Sequence, residues 1–279
     1  MPEPVPQRNG PSVLAGRTWE RLQSLADDGL VRTLRPPSGI DLSSNDYLGL
    51  STHPRLKQAM IDAIARDGVG STGSRLLRGD RTAFADVEQQ FAAFKGTDRA
   101  LYFSSGYLAN LAVLTTLAEK GDVIFSDSLN HASLIDAVRL SNADYVIFPH
   151  ADVASLEPLI AQHSAEHQAF IVTESLFSMD GDIAPLAEYA ALCRATGAAL
   201  VVDEAHAVGV FGRRGTGLLE QAGLDPNTCI SINPAGKALG VGGAFVAGPE
   251  WAIDYLIQRA RPFIFSTAPP PPVAAAGAR

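Results

Sequence analysis

The chain has 279 residues, of which 46% are hydrophobic and 19% are charged, and this balance predicts a globular protein with a sizeable core. Its 22 lysine and arginine residues are outnumbered by 30 aspartate and glutamate residues, so the net charge of -8 argues against nucleic acid or an anionic membrane as the main partner. Two cysteines lack metal-ligand spacing, no apolar run reaches the roughly 18 residues of a membrane span, and the N-terminus lacks the apolar core of a signal peptide, so we expect a cytoplasmic protein.

The first forty residues are predicted to form an N-terminal segment, 1–40. Residues 1–12 are polar and rich in proline, which favours a loose tail. Apolar residues at helical spacing from Trp19 to Leu34 indicate a helix that is broken at Gly29. The stretch Ile40–Leu42 then has the pattern of a short strand.

A glycine-rich stretch lies between two predicted helices, Pro54–Asp67 and Ala83–Phe94. Residues 68–73 match the dinucleotide-binding pattern G-x-G-x-x-G, which should follow a strand and open a helix. Because this stretch follows a helix, we reject nicotinamide binding here. We expect instead a flexible loop beside the active site, with Arg75 as its one exposed cation.

From Arg99 onward, apolar runs typical of buried strands alternate with helical patterns. This alternation predicts an α/β fold with about seven strands, mostly parallel, and helices on both faces of the sheet. The predicted strands are Ala100–Phe103, Val123–Phe125, Tyr145–Phe148, Ala169–Val172, Ala198–Val202, Cys229–Ile232 and Gly242–Gly248.

Polar residues follow two of these strands. Asp203 and His206 come after one strand, and Lys237 lies between two glycines after the next. Ligands of open α/β sheets bind outside the carboxyl ends of the strands. Singly, these residues fit a helix cap, a satisfied histidine and a solvated lysine. Together they match an amine that forms a Schiff base with an aldehyde cofactor and an acid that keeps a pyridine nitrogen protonated.

Two helix starts add candidates. Gly106 and Tyr107 open the helix after the first strand of the alternating part, and free N–H groups with the helix dipole make such a position an anion site suited to a phosphate. His131 heads a later helix, where an imidazole can lie flat on a planar ring. Both positions also fit ordinary helix caps.

The stretch His163–His167 has the pattern H-x-x-E-H, which in some metalloproteases places two imidazoles on one helix face for zinc. It lies at the end of a predicted helix just before a strand, where exposed polar residues are expected, and no third ligand is evident. We therefore predict no metal site there.

A series of motifs, in the same order along the chain, resembles the α-oxoamine synthase family of the fold-type I pyridoxal 5'-phosphate (PLP) enzymes. The resemblance covers nearly the whole chain after about residue 40. The motifs are Leu42–Leu50, Gly70–Arg75, Phe103–Tyr107, Asn130–Ser133, Ser175–Asp182, Asp203–Gly209, Gly236–Gly240 and Phe265–Thr267.

The resemblance implies a domain organisation. Residues 41–267 would form the PLP-binding large domain of the fold-type I transferases, with its mostly parallel seven-stranded sheet. Residues 268–279 would form a linker at the start of a truncated C-terminal domain, because the family continues into a second, smaller domain. The resemblance also implies a homodimer.

The resemblance implies catalytic roles for three residues. Lys237 would hold PLP through a Schiff base, Asp203 would pair with the pyridinium nitrogen, and His131 would stack on the ring and contact substrate. His206 would hydrogen-bond the ring hydroxyl. In the family a threonine three residues before the lysine meets the cofactor phosphate, whereas this chain has Pro234, which has neither a hydroxyl nor an N–H group.

Further cofactor and substrate contacts are implied in the same way. Gly106 and Tyr107 would bind cofactor through their backbone N–H groups, and Ser178 would lie against cofactor and substrate. Arg32 and Asn45 would lie near the acyl substrate and the amino acid.

The reaction implied is the decarboxylative condensation of L-alanine with a pimeloyl thioester, either pimeloyl-CoA or pimeloyl-acyl carrier protein, to 8-amino-7-oxononanoate, CO₂ and free thiol in biotin synthesis. Two alternatives stay open. The chain is another α-oxoamine synthase that uses glycine or serine with a different acyl thioester, or it is a truncated, non-catalytic remnant that only dimerises.

Overall fold

The computed structural model describes residues 12–162 and 167–278. Contacts between Cα atoms divide the chain into two units, residues 1–44 and residues 45–279. The domain limits expected from the sequence, 41–267 and 268–279, stay predictions.

The N-terminal unit contains one long helix within its described residues, α1 (Val13–Asp27), which has no buried side chain. Ser12 caps it by accepting a hydrogen bond from the N–H of Ala15 at 3.3 Å. The helix ends before Gly29, whose φ of 70° lies in the left-handed region that favours glycine, so the predicted break there is confirmed. The helical pattern predicted beyond it to Leu34 is wrong, because residues 30–34 are not helical. The short strand predicted at Ile40–Leu42 is also wrong, because these residues form bends with exposed side chains.

The larger unit is built on a seven-stranded sheet in the order β1-β7-β6-β5-β4-β2-β3. Strand β7 runs antiparallel to its neighbours β1 and β6, and every other neighbouring pair is parallel. The predicted mostly parallel sheet of seven strands is therefore confirmed. The strands are β1 (Arg99–Phe103), β2 (Val123–Asp127), β3 (Asp144–Phe148), β4 (Ala169–Glu174), β5 (Ala199–Asp203), β6 (Cys229–Pro234) and β7 (Ala244–Gly248).

Apolar side chains cover both faces of this sheet. Alternate residues of a strand point to opposite faces, so Val201 of β5 joins one hydrophobic cluster while Leu200 and Val202 join another. The helices of this unit are α2 (Pro54–Asp67), α3 (Thr82–Lys95), α4 (Gly106–Leu117), α5 (Ala132–Leu140), α6 (Val153–Ala161), α7 (Leu186–Thr196), α8 (Leu218–Gln221), α9 (Glu250–Arg259), α10 (Arg261–Ile264) and α11 (Pro271–Gly277).

The last helix replaces an expected linker. Helix α11 packs against α2 and α3, and it buries Ala274 and Ala276 against them. Its small side chains allow this close approach, and its first two residues are prolines, which suit a helix start because the first N–H groups have no acceptor within the helix. Within the predicted linker, 268–279, residues Pro271–Gly277 are thus helical and packed, while its limits as the start of a further domain stay predictions.

The predicted exposed cation after the glycine-rich loop is also wrong. The guanidinium of Arg75 donates a 2.8 Å hydrogen bond to Asp80 and pairs with Glu88, and it lies 4.7 Å from the ring centroid of Phe84. Only 11% of its side chain is exposed. An arginine with two carboxylate partners is a structural ion pair that ties this turn to α3.

One further sequence pattern falls only partly within the described residues. His163 and Glu166 of the H-x-x-E-H pattern lie outside the described residues, so the pattern is not placed here. Every helix in ranges 12–162 and 167–278 is too short or too polar to cross a bilayer.

Candidate active site

A cavity of about 200 Å³ lies at the carboxyl ends of β4, β5 and β6. The first turns of α4 and α5 close its other sides. Five residues singled out from the sequence line it together, among them Asp203, His131 and Lys237. His206, which was expected to face the same crevice, is not among the lining residues but contacts Lys237. The lining residues are Gly106, Tyr107, Asn110, His131, Ser133, Glu174, Asp203, Ala205, Pro234 and Lys237.

Asp203 is the last residue of β5 and is 4% exposed. Its Oδ1 accepts a 2.9 Å hydrogen bond from the N–H of Ala205, and its Oδ2 accepts a 2.8 Å bond from Nδ2 of Asn110. Burial raises the pKa of Asp203, and these two donors oppose the rise. The carboxylate therefore sits where a cationic partner stabilises it strongly.

Lys237 follows β6, and its Nζ lies 2.7 Å from Nε2 of His206. Burial lowers the pKa of Lys237, although the carboxylates of Asp203 and Glu174 act in the opposite direction. A lysine with a lowered pKa is neutral more often at neutral pH. It is therefore available as a nucleophile and as a proton acceptor.

His206 connects Lys237 to the loop before α2. Its Nδ1 lies 2.6 Å from the hydroxyl oxygen of Tyr47, and that hydroxyl lies 3.1 Å from Oδ1 of Asn45. Burial, followed by electrostatic repulsion from Lys237 and His131 when they are protonated, lowers the pKa of His206 to about 4. The imidazole is therefore neutral at neutral pH, with Tyr47 on one ring nitrogen and Lys237 on the other.

His131 is a helix cap that also lines the cavity, and its stacking on a ring stays a prediction. It caps α5, because its Nδ1 accepts a 3.2 Å hydrogen bond from the N–H of Ser133, and it also lines the cavity. The hydroxyl of Ser133 lies 2.7 Å from the same nitrogen. An imidazole held in this way is available as a flat wall of the cavity.

Gly106 and Tyr107 lie in the first turn of α4, whose N–H groups have no acceptor within the helix. Ser105 caps the helix by accepting a 3.3 Å bond from the N–H of Leu108. A Cβ at position 106 would stand 2.6 Å from Cγ of Pro234, so glycine is required beside this proline. The arrangement leaves a helix N-terminus facing the cavity, as an anion site needs.

Three lining residues were missed by sequence analysis. Asn110 and Ser133 are each 1% exposed and lie in helices. Ser133 closes the motif Asn130–Ser133 but was given no role, and nothing in the helical pattern distinguishes Asn110 from packing residues. Glu174 ends β4, and burial, followed by the charge of Asp203, raises its pKa to about 7. Its position directly after an apolar strand was the one available signal.

The remaining predicted residues stand apart from this lining. Ser178 is exposed in the turn after β4. Asn45 is linked to His206 only through Tyr47. Arg32 is an exposed residue of the N-terminal unit, and its contact with substrate stays a prediction.

The chain matches known proteins over most of its length. A family model described as aminotransferase class I and II matches residues 37–278. The chain is 52% identical over 239 residues to an 8-amino-7-oxononanoate synthase of Burkholderia cenocepacia (strain HI2424). This match covers 84% of the chain but only 59% of the relative, so the chain spans less than two thirds of that protein's length. It is 46% identical over 268 residues to the protein of that name from Geobacter sulfurreducens, covering 91% of this chain and 68% of the relative.

Solved structures share the fold. A serine palmitoyltransferase from S. paucimobilis with a bound PLP-myriocin aldimine superposes with a TM-score of 0.88 at 32% identity, covering 96% of this chain and 74% of that one. An 8-amino-7-oxononanoate synthase from Francisella tularensis gives 0.75 at 37% identity, covering 86% and 67%. The expected fold type I is confirmed. The chain belongs to the aminotransferase class I and II family, and the resemblance to α-oxoamine synthases predicted from its motifs is confirmed.

Proposed function

We propose that this chain carries the PLP-binding core of an 8-amino-7-oxononanoate synthase. The activity is condensation of L-alanine with a pimeloyl thioester, on coenzyme A or acyl carrier protein, with release of CO₂ and thiol in biotin synthesis. One observation carries the proposal: Lys237, Asp203 and His131 line one cavity at the strand ends of a chain 52% identical to a protein of that name.

The residues around the cavity fit PLP. The amine suits the aldehyde of PLP, and the buried acid suits its ring nitrogen. The imidazole suits a face of the ring, and the helix N-terminus suits the phosphate. Pro234 lines the cavity where the family resemblance implies a threonine hydroxyl, so phosphate binding rests on the first turn of α4. When bound, PLP supplies an electron sink for bonds broken at the α-carbon of an amino acid.

Lys237 would hold PLP through Nζ and would accept the α-proton of the amino acid at the same atom. Its lowered pKa favours the neutral amine that both roles need. His206 keeps Nζ in place at 2.7 Å without adding a positive charge, because its own pKa is lowered to about 4.

Asp203 would hold a proton on the ring nitrogen of PLP. Two donors, the N–H of Ala205 and the amide of Asn110, favour its ionised form, while burial opposes it. A cationic N–H partner in the cavity would offset the cost of burying the ionised carboxylate, because a buried charge is tolerated when it is paired. His131 orients the ring from one side.

A second candidate is an α-oxoamine synthase that uses serine, and the superposition on serine palmitoyltransferase at a TM-score of 0.88 favours it. The higher identity to 8-amino-7-oxononanoate synthases makes L-alanine the preferred substrate. A homodimer and a cytoplasmic location, which the sequence predicts, belong to the same proposal.

The test begins with the cofactor and ends with the substrate. Visible absorbance is recorded on adding PLP to the chain, and thiol release from pimeloyl-CoA is then measured with L-alanine, glycine or serine. We expect a visible band and fastest release with L-alanine. Lys237→Ala should lose both signals, whereas the exposed Lys120→Ala should keep them. A band that survives Lys237→Ala would refute the lysine's role, and fastest release with serine would favour the second candidate.

A further inference from the structure

Two buried side chains at the cavity contact the proposed catalytic residues, but neither has been given a role in setting their geometry. Asn110 lies on α4 and Ser133 in the first turn of α5, and each is 1% exposed. They stand between Asp203 and His131. Asp203 is at the end of β5 and His131 is in the loop after β2, and β4 lies between those two strands in the sheet. No backbone pairing of β5 with β2 therefore sets the distance between the acid and the imidazole.

The hydrogen bonds of these side chains form one continuous chain. Nδ2 of Asn110 donates to Oδ2 of Asp203 at 2.8 Å and to Oγ of Ser133 at 2.8 Å. Oγ of Ser133 lies 2.7 Å from Nδ1 of His131. An amide nitrogen has two hydrogens and a hydroxyl has one, so each hydrogen in this series of bonds has one acceptor.

The direction of the chain follows from the cap of α5. Nδ1 of His131 already accepts the N–H of Ser133 at 3.2 Å, so this nitrogen carries its lone pair. The hydroxyl of Ser133 must then donate to Nδ1 and accept from Asn110. A neutral His131 consequently carries its proton on Nε2.

The orientation of the amide gives independent support. Oδ1 of Asn110 is buried and has no hydrogen-bond partner in the described part of the chain. Leaving a buried acceptor unpaired is unfavourable, yet the flipped amide would turn this oxygen towards the carboxylate of Asp203. The two bonds of Nδ2 therefore hold the amide in place against that penalty.

We propose that Asn110 and Ser133 are positioning residues that set the spacing between Asp203 and His131 and place the proton of His131 on Nε2. The inference rests on the proposed function, because that spacing is the slot in which the PLP ring would lie. Neither side chain touches the reacting atoms in this role. Each acts through the residue that it holds.

The first test measures PLP binding to the whole chain by absorbance titration. Ser133→Ala and Asn110→Ala should each weaken binding about tenfold, the size expected when one hydrogen bond is lost. The double variant should be no more than a few times weaker than the worse single variant, because both changes break one chain. Ser141→Ala removes a hydroxyl from the other end of α5, where it donates to the carbonyl of Val138, and should bind as the wild type does.

The second test needs no cofactor. Nitrogen-15 spectra of histidine-labelled protein, with the His131 signals assigned by their loss in His131→Gln, should show Nδ1 unprotonated and Nε2 protonated in the wild type. In Ser133→Ala the Nδ1 signal should shift, because its hydroxyl donor is gone, and in Ser141→Ala it should not.

The outcomes separate the two proposals. A wild-type chain that binds no PLP contradicts the proposed function, and the nitrogen-15 signals still decide the hydrogen-bond chain. The positioning role is overturned if His131 is protonated on Nδ1, if both single variants bind PLP as the wild type does, or if the losses in the double variant multiply.

Discussion

The protonation of a few buried side chains determines what the cavity can do. Lys237 is an amine whose pKa is lowered by burial, and its nearest ring nitrogen belongs to a histidine that is neutral at neutral pH. Asp203 and Glu174 are acids whose pKa values burial raises, Glu174 to about 7. Opposed shifts of an amine and of acids in one small cavity are typical of sites that move protons.

At the residue scale, we predict that Asp203→Asn makes Lys237 more reactive. The carboxylate of Asp203 raises the pKa of Lys237, so its removal leaves burial less opposed and lowers that pKa further. More of the lysine is then neutral at a given pH. Modification of Lys237 by an amine-selective reagent, followed by mass spectrometry across pH, should shift to lower pH.

Asp144→Asn, at an exposed position at the start of β3, is the matched control and should leave this profile unchanged. An unshifted profile in Asp203→Asn would show that the two groups are not coupled.

At the element scale, a buried ion pair anchors α3 to the end of β5. Nζ of Lys95 pairs with the carboxylate of Glu204, and both side chains are almost fully buried, at 2% and 0% exposed. The lysine also donates to the carbonyl of Thr216 at 2.6 Å, and Glu204 accepts the N–H of Leu219 at 3.0 Å. Glu204 is therefore structural, although it stands next to Asp203 in the sequence.

Lys95→Ala should destabilise the protein by about 3–5 kcal/mol, because it leaves a buried carboxylate without its partner. Urea unfolding followed by circular dichroism measures the free energy. Lys120→Ala, at an exposed position, should change it by less than about 0.5 kcal/mol. A loss below about 1 kcal/mol in Lys95→Ala would mean that the pair is not the anchor described here.

A second anchor joins the ends of β2 and β3 to the turn after β4. Nδ1 of His150 lies 2.9 Å from Oδ1 of Asp127, and its Nε2 bonds the carboxylate of Asp182. Burial lowers the pKa of His150, but the two carboxylates raise it more, so the net shift is upward. The bridge is thus strongest when the imidazole is protonated, and it holds the turn that carries Ser178.

The pH dependence of stability should reveal this bridge. A histidine whose pKa is higher in the folded than in the unfolded protein stabilises the folded state. The stabilisation is complete below the unfolded-state pKa of about 6.5, and it is lost as the pH rises through the folded-state pKa. His150→Gln should therefore destabilise the protein more at about pH 5.5 than at about pH 9. Urea unfolding at both pH values measures the difference.

His53→Asn is the control, because asparagine keeps the cap of α2 that His53 provides at an exposed position. An equal loss for His150→Gln at both pH values would contradict the bridge.

At the scale of the whole molecule, one group of exposed apolar side chains lies between the middle of α2 and the turn before α3. Ile61, Val69 and Leu77 are 57%, 75% and 82% exposed, respectively. Exposed apolar patches mark interaction sites more often than chance positions do. This group supports the proposed homodimer, in which the side chains would be covered.

We predict a mass near twice the 29.4 kDa of the chain by light scattering. Leu77→Asp should shift the mass towards that of the monomer, because a charge in a closed apolar contact is unfavourable. Leu140→Asp changes a leucine that is 65% exposed at the end of α5, and it should leave the mass unchanged. A monomeric mass for the wild type would contradict the dimer.

The sequence by itself determined where helices and strands form and which reactive side chains follow the strands. Helix α2 has the bounds that its apolar spacing predicts, and Asp203 and Lys237 lie at the strand-end cavity that their positions predict. Both results follow from local rules: a period of apolar residues specifies an element, and parallel strands bring their carboxyl ends to one edge.

The tertiary structure alone decided the strand order, the packing of α11 and the partners of the buried charges. Lys95 meets Glu204 across 109 positions, and Tyr47 meets His206 across 159. Arg75 looked exposed in its glycine-rich surroundings, yet Glu88 and Phe84 bury it. Contacts between residues so far apart depend on how the elements pack, and they leave no periodicity in the chain from which they could be predicted.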